Sequence, residues 1–293
     1  MYMIIEIFKT LGYLFYCIGE GFVRIFVPVR KKSFAGKNVL ITGAGHGIGR
    51  ELALKFNSVG ARLILWDINK DNVERVAKEV NALGGNASSY VCDVTKIELI
   101  KSTAEKIARD VGDVEILVNN AGVLNGRALL NLTENEIRKT FDVNIFAYLW
   151  MCRQFLPSMI KRNEGHIINI ASASAIRGAA YLTDYAATKG AVKCFTEALA
   201  DEMYREGHSG IQFTCVFPMF VSTGLAKNMH DRAGRIYSPK EVALAVVEGA
   251  QMNKSCVFIP SKLDWSVAIG GLFPRRFIEE PTDLMFKGID PQD

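Results

Sequence analysis

The chain has 293 residues, of which 49% are hydrophobic and 23% charged, and it contains 25 glycines. This composition excludes a disordered chain, a collagen-like fibre and a small disulfide scaffold, and the length fits one α/β domain. The net charge of +4 is too small to predict binding to nucleic acid. Six scattered cysteines without a CxxC pair predict buried thiols in a reducing compartment, and the histidine spacing predicts no metal site.

Residues 1–29 are nearly all aliphatic or aromatic, and four charged residues interrupt them: Glu6, Lys9, Glu20 and Arg24. The longest uncharged run, residues 10–19, is about half of the roughly 20 residues that cross a bilayer. Basic residues at 30–32, directly after this segment, suit anionic lipid headgroups. We predict that residues 1–32 form a monotopic membrane anchor. A helix packed on the protein body and a single pass through the membrane are the alternatives.

From residue 37 onward, short β-branched runs alternate with segments of helical period. The predicted strands are 37–42, 62–66, 88–92, 115–119, 166–171, 211–216 and 255–260. The predicted helices are 47–58, 69–83, 96–111, 134–162, 184–207 and 239–251. This alternation predicts an α/β fold with a doubly wound parallel sheet of Rossmann type and helices on both faces. Residues 36–261 are then a dinucleotide-binding catalytic domain, followed by an extension at 262–293.

A glycine-rich turn, TGAGHGIG at residues 42–49, lies between the first predicted strand and helix. Glycines allow a tight turn and a close approach of the backbone to a pyrophosphate, which faces the helix N-terminus. An ordinary strand–helix turn needs fewer glycines, so the pattern predicts a nucleotide site. Its predicted cofactor contacts are Gly43, Gly45, His46, Gly47, Ile48 and Gly49.

Asp67 ends the second predicted strand. A carboxylate there accepts hydrogen bonds from an adenosine ribose and repels a 2′-phosphate, which predicts NAD in preference to NADP. Capping of the following helix is the other role open to Asp67, although Asn69 could supply that cap. Further cofactor contacts are predicted after the third and fourth strands: Asp93, Val94, Asn120, Ala121 and Gly122.

Tyr185 and Lys189 are four residues apart and share one face of a predicted helix. The lysine cation favours the phenolate and is expected to lower the pKa of Tyr185 toward the working pH. Ser172 follows the fifth strand and could hold a substrate oxygen, and Asn144 interrupts an apolar helix. Each feature alone has an ordinary explanation, such as a solvated helix face or a core amide.

The glycine-rich turn, NNAG at 119–122, Asn144, Ser172 and the YxxxK pair together resemble the short-chain dehydrogenase/reductase family over about residues 36–260. The resemblance implies that Tyr185 is the general acid or base, and that Lys189 lowers its pKa and holds the nicotinamide ribose. It implies that Ser172 binds the substrate oxygen and that Asn144 supports a water leading to Lys189. Hydride would pass between the substrate carbon and the nicotinamide.

The resemblance also implies cofactor contacts at Pro218, Val221 and Thr223. The family usually has glycine after this proline, whereas this chain has Met219. The methionine would crowd the nicotinamide edge or require a different local backbone.

A narrower resemblance is to the lipid-droplet 17β-hydroxysteroid dehydrogenases of types 11 and 13 and epidermal retinol dehydrogenase. It depends on LITGAGHGIGR, LWDINK, GDVEILVNNAG, FLPSMI, GHIINIAS and FPRRF, and on the apolar start with its basic cluster. It implies NAD, a lipophilic alcohol such as a steroid or retinol, and residence on the endoplasmic reticulum membrane and lipid droplets with the catalytic domain facing the cytosol. The wider family implies a homodimer through the helices at 134–162 and 184–207, whose apolar faces could instead be buried within the monomer.

Two C-terminal segments bear on the substrate. Residues 224–230 are expected to form a lid with an apolar wall at Leu225 and Met229. Residues 263–273 would be either a second membrane contact beside the pocket or a helix that covers the sheet edge. The leading hypothesis is an NAD-dependent oxidoreductase of lipophilic alcohols. The alternatives are an NADP-dependent lipid ketone reductase and a lipid-droplet scaffold protein with a largely non-catalytic role.

Overall fold

The computed structural model describes residues 30–224 and 235–261, together with residues 8, 9, 12, 15, 16 and 19. Most of the predicted anchor, the predicted lid beyond Gly224 and the extension at 262–293 lie outside these residues. The chain divides into two compact units, Met1–Lys32 and Ser33–Asp293. No helix within the described ranges is long and apolar enough to cross a membrane.

Seven parallel strands form one sheet in the order β3-β2-β1-β4-β5-β6-β7, which confirms the predicted doubly wound fold. The strands are β1 (Asn38–Thr42), β2 (Arg62–Asp67), β3 (Asn86–Val91), β4 (Ile116–Asn119), β5 (Gly165–Ile170), β6 (Ile211–Pro218) and β7 (Cys256–Ile259). The strand order reverses between β1 and β4. The carboxyl ends of these two strands therefore flank the crevice in which such sheets bind ligands.

Helices cover both faces of the sheet because residues along each strand alternate between two apolar cores. The helices are α1 (Gly47–Ser58), α2 (Lys70–Ala82), α3 (Ile97–Asp110), α4 (Glu134–Phe141), α5 (Ala147–Arg162), α6 (Thr183–Arg205) and α7 (Pro239–Gln251). Val39 and Ile41 of β1 pack with α1, α2 and α7. Leu40, between them, packs on the opposite face with α3, α5 and α6. Burial on both faces explains the nearly continuous apolar runs of the strands.

The segment predicted as a helix at 134–162 is helical throughout, but it contains a π-helical turn that the sequence pattern did not predict. A π-helical turn, Asp142–Phe146, separates α4 from α5, and fully buried Asn144 lies at its centre. A π turn adds one residue to the helical ring and is common at functional sites. Here it accompanies an inward-facing amide that bonds to a neighbouring loop.

Candidate active site

The glycine-rich turn between β1 and α1 packs too tightly for side chains. A Cβ on Gly43, whose φ is +63°, would lie 2.9 Å from Ala121 Cα, and one on Gly49 would strike the Gly43 carbonyl oxygen. His46 precedes α1, and its side chain makes no capping hydrogen bond to the first turn of that helix. A helix N-terminus of this kind fits the pyrophosphate of a dinucleotide.

Asn120, directly after β4, is hydrogen-bonded to the glycine-rich turn. Its Nδ2 donates to the carbonyls of Thr42 (2.9 Å) and Gly43 (3.1 Å). The Thr42 hydroxyl in turn accepts from the backbone N–H groups of Asn120 (3.0 Å) and Ala121 (3.1 Å). The predicted cofactor contact at Asn120 is thus a side chain that shapes the crevice, and sequence reasoning missed Thr42 beside it.

Asp67 lies at the end of β2, buried beside the glycine-rich turn. Its Oδ2 accepts from Gly45 N–H (2.8 Å) and its Oδ1 from Asn69 N–H (2.9 Å). Asn69 caps α2 by accepting from Asn72 N–H (3.0 Å), so the cap does not require Asp67. Each carboxylate oxygen keeps further acceptor capacity for ribose hydroxyls.

The remaining predicted cofactor contacts lie around the same crevice. Asp93 closes a local turn, with Oδ1 accepting from Thr95 N–H (2.9 Å) and the Thr95 hydroxyl (2.8 Å), and Val94 beside it is buried. Thr223 flanks the glycine-rich turn, since a Cβ on Gly47 would lie 3.3 Å from its side chain.

The segment after β6 passes this crevice with an ordinary backbone. Pro218 is the last residue of β6, and Val221 forms a parallel bridge with Tyr237. Met219 donates its N–H to the Ile259 carbonyl (2.9 Å) and is not among the residues with positive φ. A glycine conformation is therefore not required where the family usually has glycine.

Ser172, Tyr185 and Lys189 come together beyond the end of β5. The Ser172 hydroxyl is hydrogen-bonded to Tyr185. Lys189 Nζ lies 5.6 Å from the centre of the Tyr185 ring and donates to the Ile170 carbonyl (2.7 Å). A Cβ on Gly122 would lie 3.4 Å from Asn144 Oδ1 and 3.7 Å from Lys189 Nζ, so all four predicted catalytic residues share this region.

Burial is the main cause of the pKa shifts of Tyr185 and Lys189. It raises the pKa of Tyr185 to about 12, and the hydrogen bond to Ser172 opposes that rise. It lowers the pKa of Lys189 to about 8. The pKa of Tyr185 is therefore raised and not lowered as expected, because desolvation of the phenolate outweighs the hydrogen bond to Ser172.

Asn144 holds the π turn, the loop after β4 and α6 together. Its Oδ1 accepts from Val123 N–H (2.8 Å), while its Nδ2 donates to the Val123 carbonyl (2.9 Å) and to the Thr188 hydroxyl (3.1 Å). The side chain is thus engaged with protein groups next to Lys189. The water implied at this position by the family resemblance stays a prediction.

Two further residues that sequence reasoning missed lie beside the catalytic pair. Asp184, directly before Tyr185, is buried and accepts from Asn125 Nδ2 (2.8 Å). Tyr148 of α5 is fully buried, with its ring centre 5.4 Å from Lys189 Nζ. The only cues in the sequence are their spacings: Asp184 adjoins Tyr185, and Tyr148 follows Asn144 by one helical turn.

This fold and this cluster define a class of dehydrogenase. A family model described as short chain dehydrogenase matches residues 37–234, and the chain belongs to that family. It is therefore an oxidoreductase of a class that transfers hydride with a nicotinamide cofactor.

Two groups of relatives confirm the resemblance to the 17β-hydroxysteroid dehydrogenases of types 11 and 13. The chain is 40% identical to rat 17-beta-hydroxysteroid dehydrogenase 13 over 279 residues, covering 95% of this chain and 93% of that protein. It is 39% identical to human estradiol 17-beta-dehydrogenase 11 over 278 residues, covering 95% of this chain and 93% of that protein.

Solved structures share the fold and differ in cofactor. A Burkholderia phymatum short chain dehydrogenase/reductase in complex with NAD is 27% identical with a TM-score of 0.73, covering 89% of this chain and 99% of that one. A metagenomic short-chain oxidoreductase in complex with NADP is 29% identical with a TM-score of 0.65, covering 78% of this chain and 96% of that one.

Proposed function

We propose that this protein is an NAD-dependent dehydrogenase that interconverts lipophilic alcohols, such as steroids or retinol, and their carbonyl compounds at a membrane or lipid-droplet surface. The observation that carries the proposal is the grouping of half-buried Ser172 with buried Tyr185 and Lys189 at the carboxyl end of the sheet. The names of the steroid dehydrogenases at about 40% identity support the substrate class.

The chemistry assigned to the chain is proton transfer and orientation. A bound nicotinamide cofactor would supply the acceptor for hydride from the carbinol carbon in oxidation and the hydride donor in reduction. Tyr185 removes the hydroxyl proton in oxidation and donates it in reduction, while the Ser172 hydroxyl orients the same oxygen. Lys189, close to the Tyr185 ring, stabilises the phenolate electrostatically. As the family resemblance implies, it would also bind the nicotinamide ribose.

Lipophilic substrates are supported by the surroundings of the reacting phenol. Tyr185 packs in a small apolar cluster formed with Leu124, Ala179, Leu182 and Phe220. A substrate oxygen that reaches the Tyr185 hydroxyl would carry its hydrocarbon part against these side chains. Burial of that hydrocarbon surface contributes about 25 cal/mol per Å² to binding.

The experiment that tests this function is spectrophotometric. Detergent-solubilised protein is mixed with NAD or NADP and a panel of steroids, retinol and long-chain alcohols, and formation of reduced nicotinamide is followed by absorbance. We expect NADH formation that disappears in Tyr185→Phe, with Tyr204→Phe on the exposed face of α6 as the matched control. No turnover with either cofactor, despite demonstrated NAD binding, would reject catalysis in favour of a scaffold role.

The choice of NAD depends on Asp67. Its buried carboxylate would accept the ribose hydroxyls of NAD and would repel the 2′-phosphate of NADP. Asp67→Ala should therefore weaken NAD binding about tenfold or more while leaving NADP binding unchanged or improved, as measured by titration of protein fluorescence. Asp71→Ala, an exposed carboxylate in the first turn of α2, is the control. Equal losses for both cofactors would remove the assigned role of Asp67 at the ribose.

Attachment to a membrane or droplet surface, with the catalytic domain in the cytosol, is part of the proposal. In the first unit, Phe8, Phe15 and Tyr16 are helical and expose 70%, 72% and 66% of their surface. Their spacing places them on one side of a helix, which supports insertion into one leaflet. A variant lacking residues 1–28 should lose flotation with phospholipid vesicles and droplets in cells, whereas Lys9→Ala should retain it. Continued flotation of the deletion variant would assign the anchor to another segment.

We also propose a homodimer through the face of α5 and α6. A surface depression of about 420 Å³ there is lined mainly by apolar side chains: Phe146, Leu149, Trp150, Leu156, Phe195 and Leu199. A second copy could cover this face symmetrically. Leu199→Glu should give monomers by sedimentation velocity, while Glu206→Gln beyond the end of α6 should sediment like the wild type. A wild-type monomer would reject the dimer.

A further inference from the structure

Lys189 has protein contacts in addition to the one with Tyr185 that the family resemblance implies. Its side chain is 3% exposed, and its Nζ donates to the Ile170 carbonyl at 2.7 Å. The centre of the Tyr148 ring lies 5.4 Å from Nζ, and that of Tyr185 lies 5.6 Å away. The buried ammonium group therefore contacts two aromatic rings, one on α5 and one on its own helix.

Tyr148 is bonded to the same backbone carbonyl as the lysine. Its hydroxyl donates to the Ile170 oxygen at 3.2 Å, so this carbonyl at the end of β5 accepts from both side chains. Burial raises the pKa of Tyr148 well above its usual value, which keeps the hydroxyl protonated as a donor. The carbonyl and the ring together restrict the position of Nζ.

We propose that Tyr148 is a positioning residue for proton transfer, because its ring keeps Lys189 charged and beside Tyr185. The inference rests on the proposed function and extends it to a residue outside the four predicted catalytic side chains. We call Tyr148, the Tyr185 ring and the Ile170 carbonyl the lysine cage.

The electrostatic reason is the competition between burial and the aromatic faces. Removal from water favours the neutral amine, and it lowers the pKa of Lys189 to about 8. A desolvated cation over an aromatic face is stabilised by the ring quadrupole, which favours the ammonium form. The described titratable groups that face Lys189 are Tyr185 on α6, Tyr148 on α5 and Cys215 on β6. Burial raises the pKa of Cys215 to about 12, so this thiol is neutral, and the Ile170 carbonyl and the two rings supply the nearby negative potential.

The cage determines where the charge resides when the Tyr185–Lys189 pair loses one proton. The pair can exist as phenolate with ammonium or as phenol with neutral amine, and only the phenolate accepts a proton from an alcohol. Stabilisation of the ammonium by Tyr148 favours the first form. Without the ring, a larger fraction of the protein molecules that have lost one proton from the pair would be in the inactive form, with phenol and neutral amine.

The test titrates Lys189 directly in the full chain in detergent micelles. Lysine labelled with ¹³C at Cε is followed by NMR against pH, and the Lys189 resonance is assigned from its loss in Lys189→Arg. Tyr148→Phe keeps the ring, trifluorophenylalanine at position 148 keeps the shape but weakens the negative ring face, and Tyr148→Leu removes the ring. The fluorinated side chain is nearly isosteric with phenylalanine, so it reports on the ring even where the leucine variant fails to fold.

We expect the Lys189 pKa to change little in Tyr148→Phe and to fall by about half a unit with the fluorinated ring and about one unit in Tyr148→Leu. In parallel, kcat for alcohol oxidation should fall several-fold in Tyr148→Leu with the KM for the cofactor unchanged. Tyr90→Leu is the matched control. The Tyr90 ring centre also lies 5.6 Å from a lysine nitrogen, that of Lys106, but Tyr90 is on β3.

Equal Lys189 pKa values in the phenylalanine, fluorinated and leucine proteins would overturn the proposal, as would an equal shift in Tyr90→Leu. Absence of turnover in the wild type would reject the proposed function alone. The titration would still decide whether the cage acts on Lys189.

Discussion

At the scale of single residues, Asp184 shows how a buried carboxylate supports the site. Its Oδ2 accepts from Asn125 Nδ2 (2.8 Å) and from the Thr140 hydroxyl (2.9 Å). It therefore joins α6 to α4 and to the loop after β4. Its place in the first turn of α6 also puts the negative charge at the favourable end of the helix dipole.

Asp184→Ala should lower the free energy of unfolding by about 1–3 kcal/mol, because half-buried Asn125 and buried Thr140 each lose a charged acceptor. Urea denaturation of the detergent-solubilised protein measures the change. Asp201→Ala removes an exposed carboxylate that pairs with Arg205 on the same helix, and should cost no more than about 0.5 kcal/mol. Equal losses in the two variants would mean that the Asp184 contacts add nothing to stability.

At the scale of elements, the turn between β1 and α1 depends on close backbone packing. Gly43 approaches Ala121, Gly49 approaches the Gly43 carbonyl, and Gly47 approaches Thr223. The turn thus contacts both the segment after β4 and the segment after β6. A side chain at Gly49 must displace backbone, so it changes the shape of the crevice as well as the stability of α1.

Gly49→Ala should abolish NAD binding, because the added methyl group would overlap the Gly43 carbonyl and force the turn open. Binding is measured by fluorescence titration and folding by circular dichroism. The matched control is Gly190→Ala within α6, where an added Cβ meets no atom within 4 Å. This control should raise stability by about 0.5–1 kcal/mol through its better helix propensity. NAD binding by Gly49→Ala at wild-type affinity would contradict the assignment of this turn.

At the scale of the whole molecule, burial creates a dependence of stability on alkaline pH. It raises the pKa of Cys92 to about 11 and those of Cys152 and Cys215 to about 12, from 9.0. Between pH 9.0 and about 11, the three thiols keep their protons in the folded state and release them in the unfolded state. Stability therefore falls as pH rises through this range. Lys189 acts oppositely, because its folded pKa of about 8 lies below its unfolded value of 10.5.

Stability should therefore rise slightly between pH 8 and 9, where Lys189 alone titrates in this group, and fall above pH 9 as the thiols contribute. The net effect of three thiols against one lysine is a loss of up to about 3 kcal/mol per pH unit. Urea denaturation at a series of pH values measures this slope. Replacing Cys92, Cys152 and Cys215 together by alanine should remove the loss between pH 9 and 10, below the range in which the raised pKa values of Tyr148 and Tyr185 contribute. An unchanged slope in that variant would assign the alkaline instability to other groups.

Most strands and helices follow from local pattern, because buried parallel strands are apolar throughout and surface helices have an apolar stripe. The helix predicted at 47–58 coincides with α1 (Gly47–Ser58). The strand predicted at 88–92 is observed as β3 (Asn86–Val91), because its register pairs Asn86 with Arg62 of β2. Pairing with a distant strand therefore decided where this strand begins and ends.

The sequence by itself determined the order of strands and helices, the glycine-rich turn and the spacing of Tyr185 and Lys189, since each depends on neighbours within a few residues. The tertiary structure alone decided the π turn at Asn144, the buried contacts of Asp184 and the ring of Tyr148 beside Lys189. It also decided that the pKa of Tyr185 rises instead of falling. These properties depend on contacts between segments far apart in the chain and on the removal of water from charged groups, which local sequence does not specify.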